Sequence, residues 1–349
     1  MDDVHIRIQG RAGRITLTRP KALNALSHPM CLAIERALDD WREDSSVDLV
    51  ILDAEGERAF CAGGDIAAVY HAGRAGDYAL GQAFWRDEYR MNDKLAHYPK
   101  PILSFMQGFV MGGGVGLGGH VRHRIIGKTT QVAMPECGIG LIPDVGGTWR
   151  LAQAPGYLGE YLGLTGARMG PADALYAGFA DRVIAEENWP HLIAALCQSG
   201  TVDALPAGEL LPEGPLSAAR TVIDRCFGAD DLAAILVNLE TAGDSFALET
   251  RQTLERNSAL SMAATLRLVR MGREARDIRE ALSNEFRFTA RACESAEFLE
   301  GVRAQIIDKD RKPVWRFASG ADMQARVDAL LAPLPEDLAI NFGAQACPA

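Results

Sequence analysis

The stretch VDLVILDAEGERAFCAGGDI, residues 47–66, decides the fold class. Residues 47–53 are a short apolar run rich in β-branched side chains and read as a buried strand. A loop over residues 55–65 follows and carries Cys61-Ala62-Gly63-Gly64-Asp65. Upstream, residues 4–8 and 14–18 alternate like the two strands of a hairpin, with Gln9, Gly10 and Gly13 near the turn. Ser27 and Pro29 then open a helix to about Arg42, with Leu32, Ile34, Leu38 and Trp41 roughly at helical spacing. Downstream, an amphipathic segment over residues 80–98 meets the breaker Pro99-Lys100-Pro101. Residues 102–106 are another strand, and strand-like runs recur at 121–126 and 131–134. Helical patterns dominate from Gly146. Strands alternating with helices predict an α/β layer fold. The expected organisation is a core over residues 1–185 and a helical C-terminal region over 186–349, with a Pro/Gly-rich joint at 205–215. Residues 332–349, rich in proline and small residues, are expected to be loosely ordered.

Bulk properties narrow the function. A chain of 349 residues, 48% of them hydrophobic, can bury a large core. Its net charge of −10 argues against nonspecific nucleic-acid or anionic-membrane binding, so an anionic ligand needs a local cluster of positive charge. The seven cysteines are scattered with no C-x-x-C pair, which fits reduced cytosolic thiols better than a disulfide framework. MDDVHIRIQG starts acidic and runs into strand-like alternation, without the look of a signal or transit segment, so a cytoplasmic protein is expected. The uncharged stretch over residues 101–119 contains seven glycines and reads as a strand, a turn and a glycine-rich helix start rather than a membrane span.

Three motif-like patterns carry little. Gly114-Val115-Gly116-Leu117-Gly118-Gly119 fits G-x-G-x-x-G, but residues 107–112 separate it from the strand where a dinucleotide fingerprint needs a tight turn. Gly127-Lys128-Thr129 lacks the earlier glycine of a phosphate loop, because Arg122 stands there. His120 and His123 have no further ligand pair at metal spacing and read as part of a partly exposed strand, so no metal is expected. No G-x-S-x-G or H-E-x-x-H occurs.

The chemistry is expected from three segments: Phe60-Cys61-Ala62-Gly63-Gly64-Asp65-Ile66; Met111-Gly112-Gly113-Gly114-Val115-Gly116; and residues 134–148, MPECGIGLIPDVGGT. In the first two, glycine leaves backbone amides open to a ligand, and two such amides aimed at one oxygen make an oxyanion hole. A helix starting near Gly113 would add its positive end. The third supplies two carboxylates, Glu136 and Asp144, each stiffened by a preceding proline. Such pairs do acid–base or nucleophilic work when their surroundings separate their pKa values.

With Arg19-Pro20-Lys21-Ala22-Leu23-Asn24-Ala25-Leu26 added, the order and spacing of these segments resemble the crotonase (enoyl-CoA hydratase/isomerase) superfamily. The resemblance implies a ββα-repeat spiral core, an acyl-CoA substrate, and an oxyanion hole from Gly64 and Gly113. It also implies that Lys21, Ala22, Ala62, Asp65 and Ile66 lie where the CoA phosphate and adenine bind. Hydratases of the family use two glutamates. One matches Glu136, and the other falls at Gly116, which demotes hydration. The Glu136/Asp144 pair is similar to that of the family's 3-hydroxyisobutyryl-CoA hydrolases, and dienoyl-CoA isomerases have a similar pair. Phe84-Trp85-Arg86-Asp87-Glu88-Tyr89-Arg90-Met91-Asn92 resembles the hydrolases' substrate-lining helix, with Glu88 at the substrate position. Residues 245–249 and 300–315 resemble their C-terminal extension. The resemblance therefore implies hydrolysis of a short 3-hydroxyacyl-CoA, with enoyl-CoA isomerisation or hydration as the alternative. Coenzyme A enters as part of the substrate, no separate cofactor is implied, and assembly into a homo-oligomer is possible.

Overall fold

The structure is a computed structural model that describes residues 3–317, 320 and 322–343. Strands β1 (Val4–Gln9) and β2 (Ala12–Leu17) form the expected antiparallel hairpin. From β3 (Leu49–Ala54) onward the strands pair in parallel, and the chain deals them alternately to two sheets. β4 (Ala59–Cys61) opens a small sheet and β5 (Ile102–Met106) returns to the large one. β6 (Phe109–Met111) and β8 (Gln131–Ala133) extend the small sheet, while β7 (His123–Ile126) and β9 (Arg182–Val183) complete the large one. The large sheet has the order β1-β2-β3-β5-β7-β9 and the small sheet β4-β6-β8. This is the α/β spiral core, with a helical C-terminal region after it.

Burial on both faces explains the apolar run in β3. Val50 and Leu52 face the main core, and Leu49 and Ile51 face a second cluster with Leu103, Phe105, Ile125, Trp189 and Leu196. Alternate side chains of a strand point to opposite faces, so a sheet covered on both sides needs apolar residues at every position. Helix α1 (His28–Arg42) follows Ser27 as its N-cap and buries Met30, Cys31, Ile34, Ala37, Leu38 and Trp41. Leu32, expected on that stripe, is instead 38% exposed. The Trp41 ring lies so close over β2 that a Cβ at Gly13 would sit 2.4 Å from it.

Helix α2 (Ala67–Arg74) and strands β4, β6 and β9 were not evident from the sequence, and at two or three residues the strands are too short to show a period. Helix α3 (Ala79–Ala96) matches the long amphipathic segment. The uncharged stretch over 101–119 resolves into β5, β6 and helix α4 (Gly113–Gly118), so a strand does precede the glycine run directly. Among the described residues no helix is long and apolar enough to cross a membrane.

The sequence changes character near residue 185, yet one hydrophobic cluster runs from Ile15 to Leu331. Helices Ala259–Glu274 and Ile278–Ser295 pack against α3 and the short helix α5 (Gly147–Ala152). The tail departs from the expected looseness over residues 332–343, where Leu334, Leu338, Ile340 and Phe342 lie on the same core. Residues 344–349 fall outside the described part.

Candidate active site

The turn carrying residues 19–26 is docked on the loop after β4. Leu23 and Asn24 adopt left-handed backbone angles, and Asn24 is buried. Its side-chain amide donates to the Glu55 and Ala59 carbonyls, 2.9 Å each, and its oxygen accepts from the Arg19 amide. The Ala62 amide donates to Leu23, the Leu26 amide to Gly63, and the Asp65 amide to Leu26. Arg19 adds an ion pair to Asp65 at 2.9 Å. Asp65 thus serves as a pin between the two segments. Lys21 and Ala22 stand exposed on a single 3-10 turn beside it, and Lys21 forms no ion pair among the described residues.

That docking sets the Gly63–Gly64 bend against the start of α4. The Gly64 nitrogen lies 3.3 Å from where a Cβ at Gly113 would be, so the two bends are side by side. Neither the Gly64 nor the Gly113 amide has an acceptor among the described residues. Gly112 has φ +49°, and a Cβ there would meet Glu136 Oε1 at 2.5 Å. Glycine is therefore required at 112 both for its backbone angle and to let the carboxylate approach. With only six residues, α4 contributes mainly its first free amides rather than a long-helix dipole.

These groups line a cavity of about 410 Å³ together with Ala62, Ile66, Phe84, Trp85, Glu88, Glu136, Leu141 and Asp144. Lys21, Ala22 and Asp65 lie outside that lining. Glu136 begins a 3-10 turn just after Pro135, and Glu88 projects from α3. Glu88, Glu136, Asp144 and Glu285 are each no more than 5% exposed, and none is paired with a cation among the described residues. Glu88 Oε1 and Glu136 Oε2 have no hydrogen-bond partner although buried. Such atoms are costly unless a ligand completes them.

Burial, and then the neighbouring Asp144, push the Glu136 and Glu88 carboxyls well above the ordinary range. Burial raises Asp144 to about 7, against the hydrogen bond from Tyr89, whose hydroxyl donates to Asp144 Oδ2 at 2.7 Å. A site of this kind holds protons near neutrality and makes any ionised member a strong base.

The loop bearing Asp144 is held in an unusual shape. Val145 has φ +54° and Gly146 φ +79°. A β-branched residue in that region costs on the order of 1–3 kcal/mol, so its surroundings must impose it. His120 is buried rather than partly exposed as expected, and its Nε2–H donates to the Val145 carbonyl at 2.8 Å. Burial pulls its pKa down to about 3, which keeps the ring neutral. The Val145 side chain fills the space beside α4: a Cβ at Gly116 would sit 2.6 Å from Val145 Cβ and 3.0 Å from Asn92 Nδ2. Among the described residues no three His, Cys, Asp or Glu side chains are placed so that they could hold a metal ion, the cavity carboxylates included.

Sequence reasoning did not find Tyr89 or Glu285 as site groups, nor Thr165, Asn257, Gln305 and Ile306 in the cavity wall. For Glu285 a signal existed. It sits in the apolar stripe Ile278, Ala281, Leu282, Phe286, Ala292 of its helix, where a charge is out of place.

The enoyl-CoA hydratase/isomerase family model matches residues 12–331. A Danio rerio protein named 3-hydroxyisobutyryl-CoA hydrolase, mitochondrial, is 38% identical over 340 residues, covering 94% of this chain and 88% of its own. The Xenopus tropicalis protein of the same name is 41% identical, covering 88% of this chain and 82% of its own. A crystal structure described as an enoyl-CoA hydratase from Rhodobacter sphaeroides 2.4.1 superposes with a TM-score of 0.92 at 56% identity, covering 98% of this chain and all of that one.

Proposed function

The chain belongs to the enoyl-CoA hydratase/isomerase family, and from that premise we propose that it hydrolyses 3-hydroxyisobutyryl-CoA, or a similarly short 3-hydroxyacyl-CoA, to the hydroxy acid and coenzyme A. One observation carries the choice of reaction. Val145 and Asn92 occupy the space at Gly116 where a hydratase of the family would keep its second glutamate, and the cavity offers Asp144 beside Glu136 instead.

In this reading the thioester oxygen sits between the Gly64 and Gly113 amides, which stabilise the charge it gains. Glu136 either attacks the carbonyl carbon, giving an acyl-enzyme that water then cleaves, or takes a proton from water as it attacks. Either course breaks the C–S bond and consumes one water. Asp144 returns a proton to the departing sulfur, and Glu88 holds the 3-hydroxyl group with its free oxygen. Lys21 and Ala22, with Ala62, Asp65 and Ile66, form the shoulder over which the nucleotide part of coenzyme A lies, Lys21 supplying positive charge. Coenzyme A is part of the substrate, and no other cofactor takes part. The reaction belongs in a reducing aqueous compartment, as the expected cytosol and the mitochondrion in the relatives' names both are; the six described cysteines are buried and free.

The deciding experiment compares thiol release from 3-hydroxyisobutyryl-CoA with hydration or double-bond shift of a short enoyl-CoA. Thiol release should dominate. Faster conversion of the enoyl-CoA would move the chain to the hydratase or isomerase reading, which the description of the Rhodobacter structure favours.

A second expectation concerns pH. Glu136 must be ionised to act, and its pKa is raised. kcat/KM, which reports the free enzyme, should therefore fall on the acid side at a pH well above 4.5, the usual value for this side chain. An acid limb at or below that value would point to an exposed carboxylate as the working base.

A further inference from the structure

We propose that Glu285, on the C-terminal helix Ile278–Ser295, is a positioning residue for thiol release: it clamps the loop that presents Asp144. The inference rests on the role given to Asp144 above. Glu285 is fully buried. Its Oε2 accepts from the Gly146 amide at 2.7 Å, and its Oε1 accepts from the Thr148 amide at 2.9 Å and from the Thr148 hydroxyl. Three donors from one short segment thus converge on a carboxylate almost 140 residues away in sequence. They fix the C-terminal side of the left-handed Val145–Gly146 pair that turns Asp144 into the cavity.

The same helix reaches Asp144 by a second path. Thr289, one turn after Glu285, stands 3.3 Å from the Tyr89 hydroxyl, which donates to Asp144. Residues four apart share a helix face, so one surface of this helix reaches both the backbone just after Asp144 and, through Tyr89, the Asp144 side chain. A role in packing alone does not account for the choice of residue. Of the other buried residues on this helix only Asn284 and Thr289 are polar, and a buried carboxylate without a cation is tolerated only where donors surround it. Replacing one of its acceptor oxygens should therefore loosen Asp144 more than it loosens the core.

The test uses Glu285→Gln in the full-length enzyme, which keeps the shape but turns an N–H group toward one of the three donors. Thiol release is measured in single and multiple turnovers, alone and in an Asp144→Asn background. Displacing a reacting group by about 1 Å can cost on the order of 100-fold in rate, so kcat should fall roughly 10- to 100-fold with KM little changed. In the Asp144→Asn background the same change should cost almost nothing further, because coupled groups are not additive. Thr148→Val removes one donor without touching the carboxylate. It should show a smaller loss with the same dependence on Asp144, and it carries the test if Glu285→Gln does not fold. Equal losses in both backgrounds, or an unchanged kcat, would overturn the clamp. Normal turnover by Asp144→Asn alone would instead remove Asp144 from the mechanism, and the clamp with it.

Discussion

A Glu136→Gln variant is expected to lose thiol release by on the order of 10²–10⁴-fold, the usual contribution of a positioned base, while still binding acyl-CoA. The side chain faces the cavity with one oxygen unpartnered and the other against Gly112. Glutamine matches its shape and cannot take a proton or form an acyl intermediate. Near-normal turnover in the variant would strip Glu136 of its role. The same substitution carries a stability signature of opposite sign. A carboxyl whose folded pKa lies above its unfolded value contributes stability only at low pH, and that contribution is lost as pH rises through the folded value. Glu136 is such a group. Glutamine cannot ionise, so the variant should melt above the parent at pH 8, with the gap shrinking toward pH 5. A lower Tm at pH 8 would mean that the buried carboxylate is better solvated than its surroundings indicate.

Gly113→Val should cost a comparable amount by a different route. A Cβ at position 113 would lie 2.9 Å from Glu88 Oε1 and 3.3 Å from the Gly64 nitrogen, in the space that the proposed mechanism gives to the acyl oxygen. The substitution leaves both amides in place and fills the gap between them. Losing one donor of an oxyanion hole typically costs roughly 10²–10³-fold in kcat, and blocking the approach to two should reach at least that. Steady-state kinetics alongside a thermal melt separate the effect from misfolding. A folded variant with an unaltered rate would end the oxyanion assignment.

Much of this was legible in the chain, for reasons that differ by element. The β1–β2 hairpin, α1, β3, α3 and β5 each run for five residues or more, long enough for their periods to show. The glycine bends and the Glu136/Asp144 segment were marked by residue type, since open backbone and stiff proline-led carboxylates follow from composition. What stayed hidden depended on distance along the chain. The local pattern marks Glu285 only as a charge within an apolar stripe, and only the fold shows that Gly146 and Thr148 are its partners. His120 looked like half of a surface pair until Val145 was found to occupy its nitrogen. Nothing local announces that residues 332–343 lie on the core, because four scattered apolar side chains among prolines have no period.

The shared core also has a consequence for how the enzyme is made. Translation produces Gly64, Glu88, Gly113, Glu136 and Asp144 in the first half of the chain, but the helix bearing Glu285 emerges only near the end. Behind it comes the segment in which Gly301 lies against the Ile139 backbone, where a Cβ would be 2.1 Å from the carbonyl oxygen. Until then the nascent polypeptide holds its reactive groups without the scaffold that aims them, and the apolar faces of α3 and α5 lack their cover. A prematurely terminated product would be a sticky, inactive intermediate rather than a smaller working enzyme, and quality control would treat it as a client for chaperones or proteases.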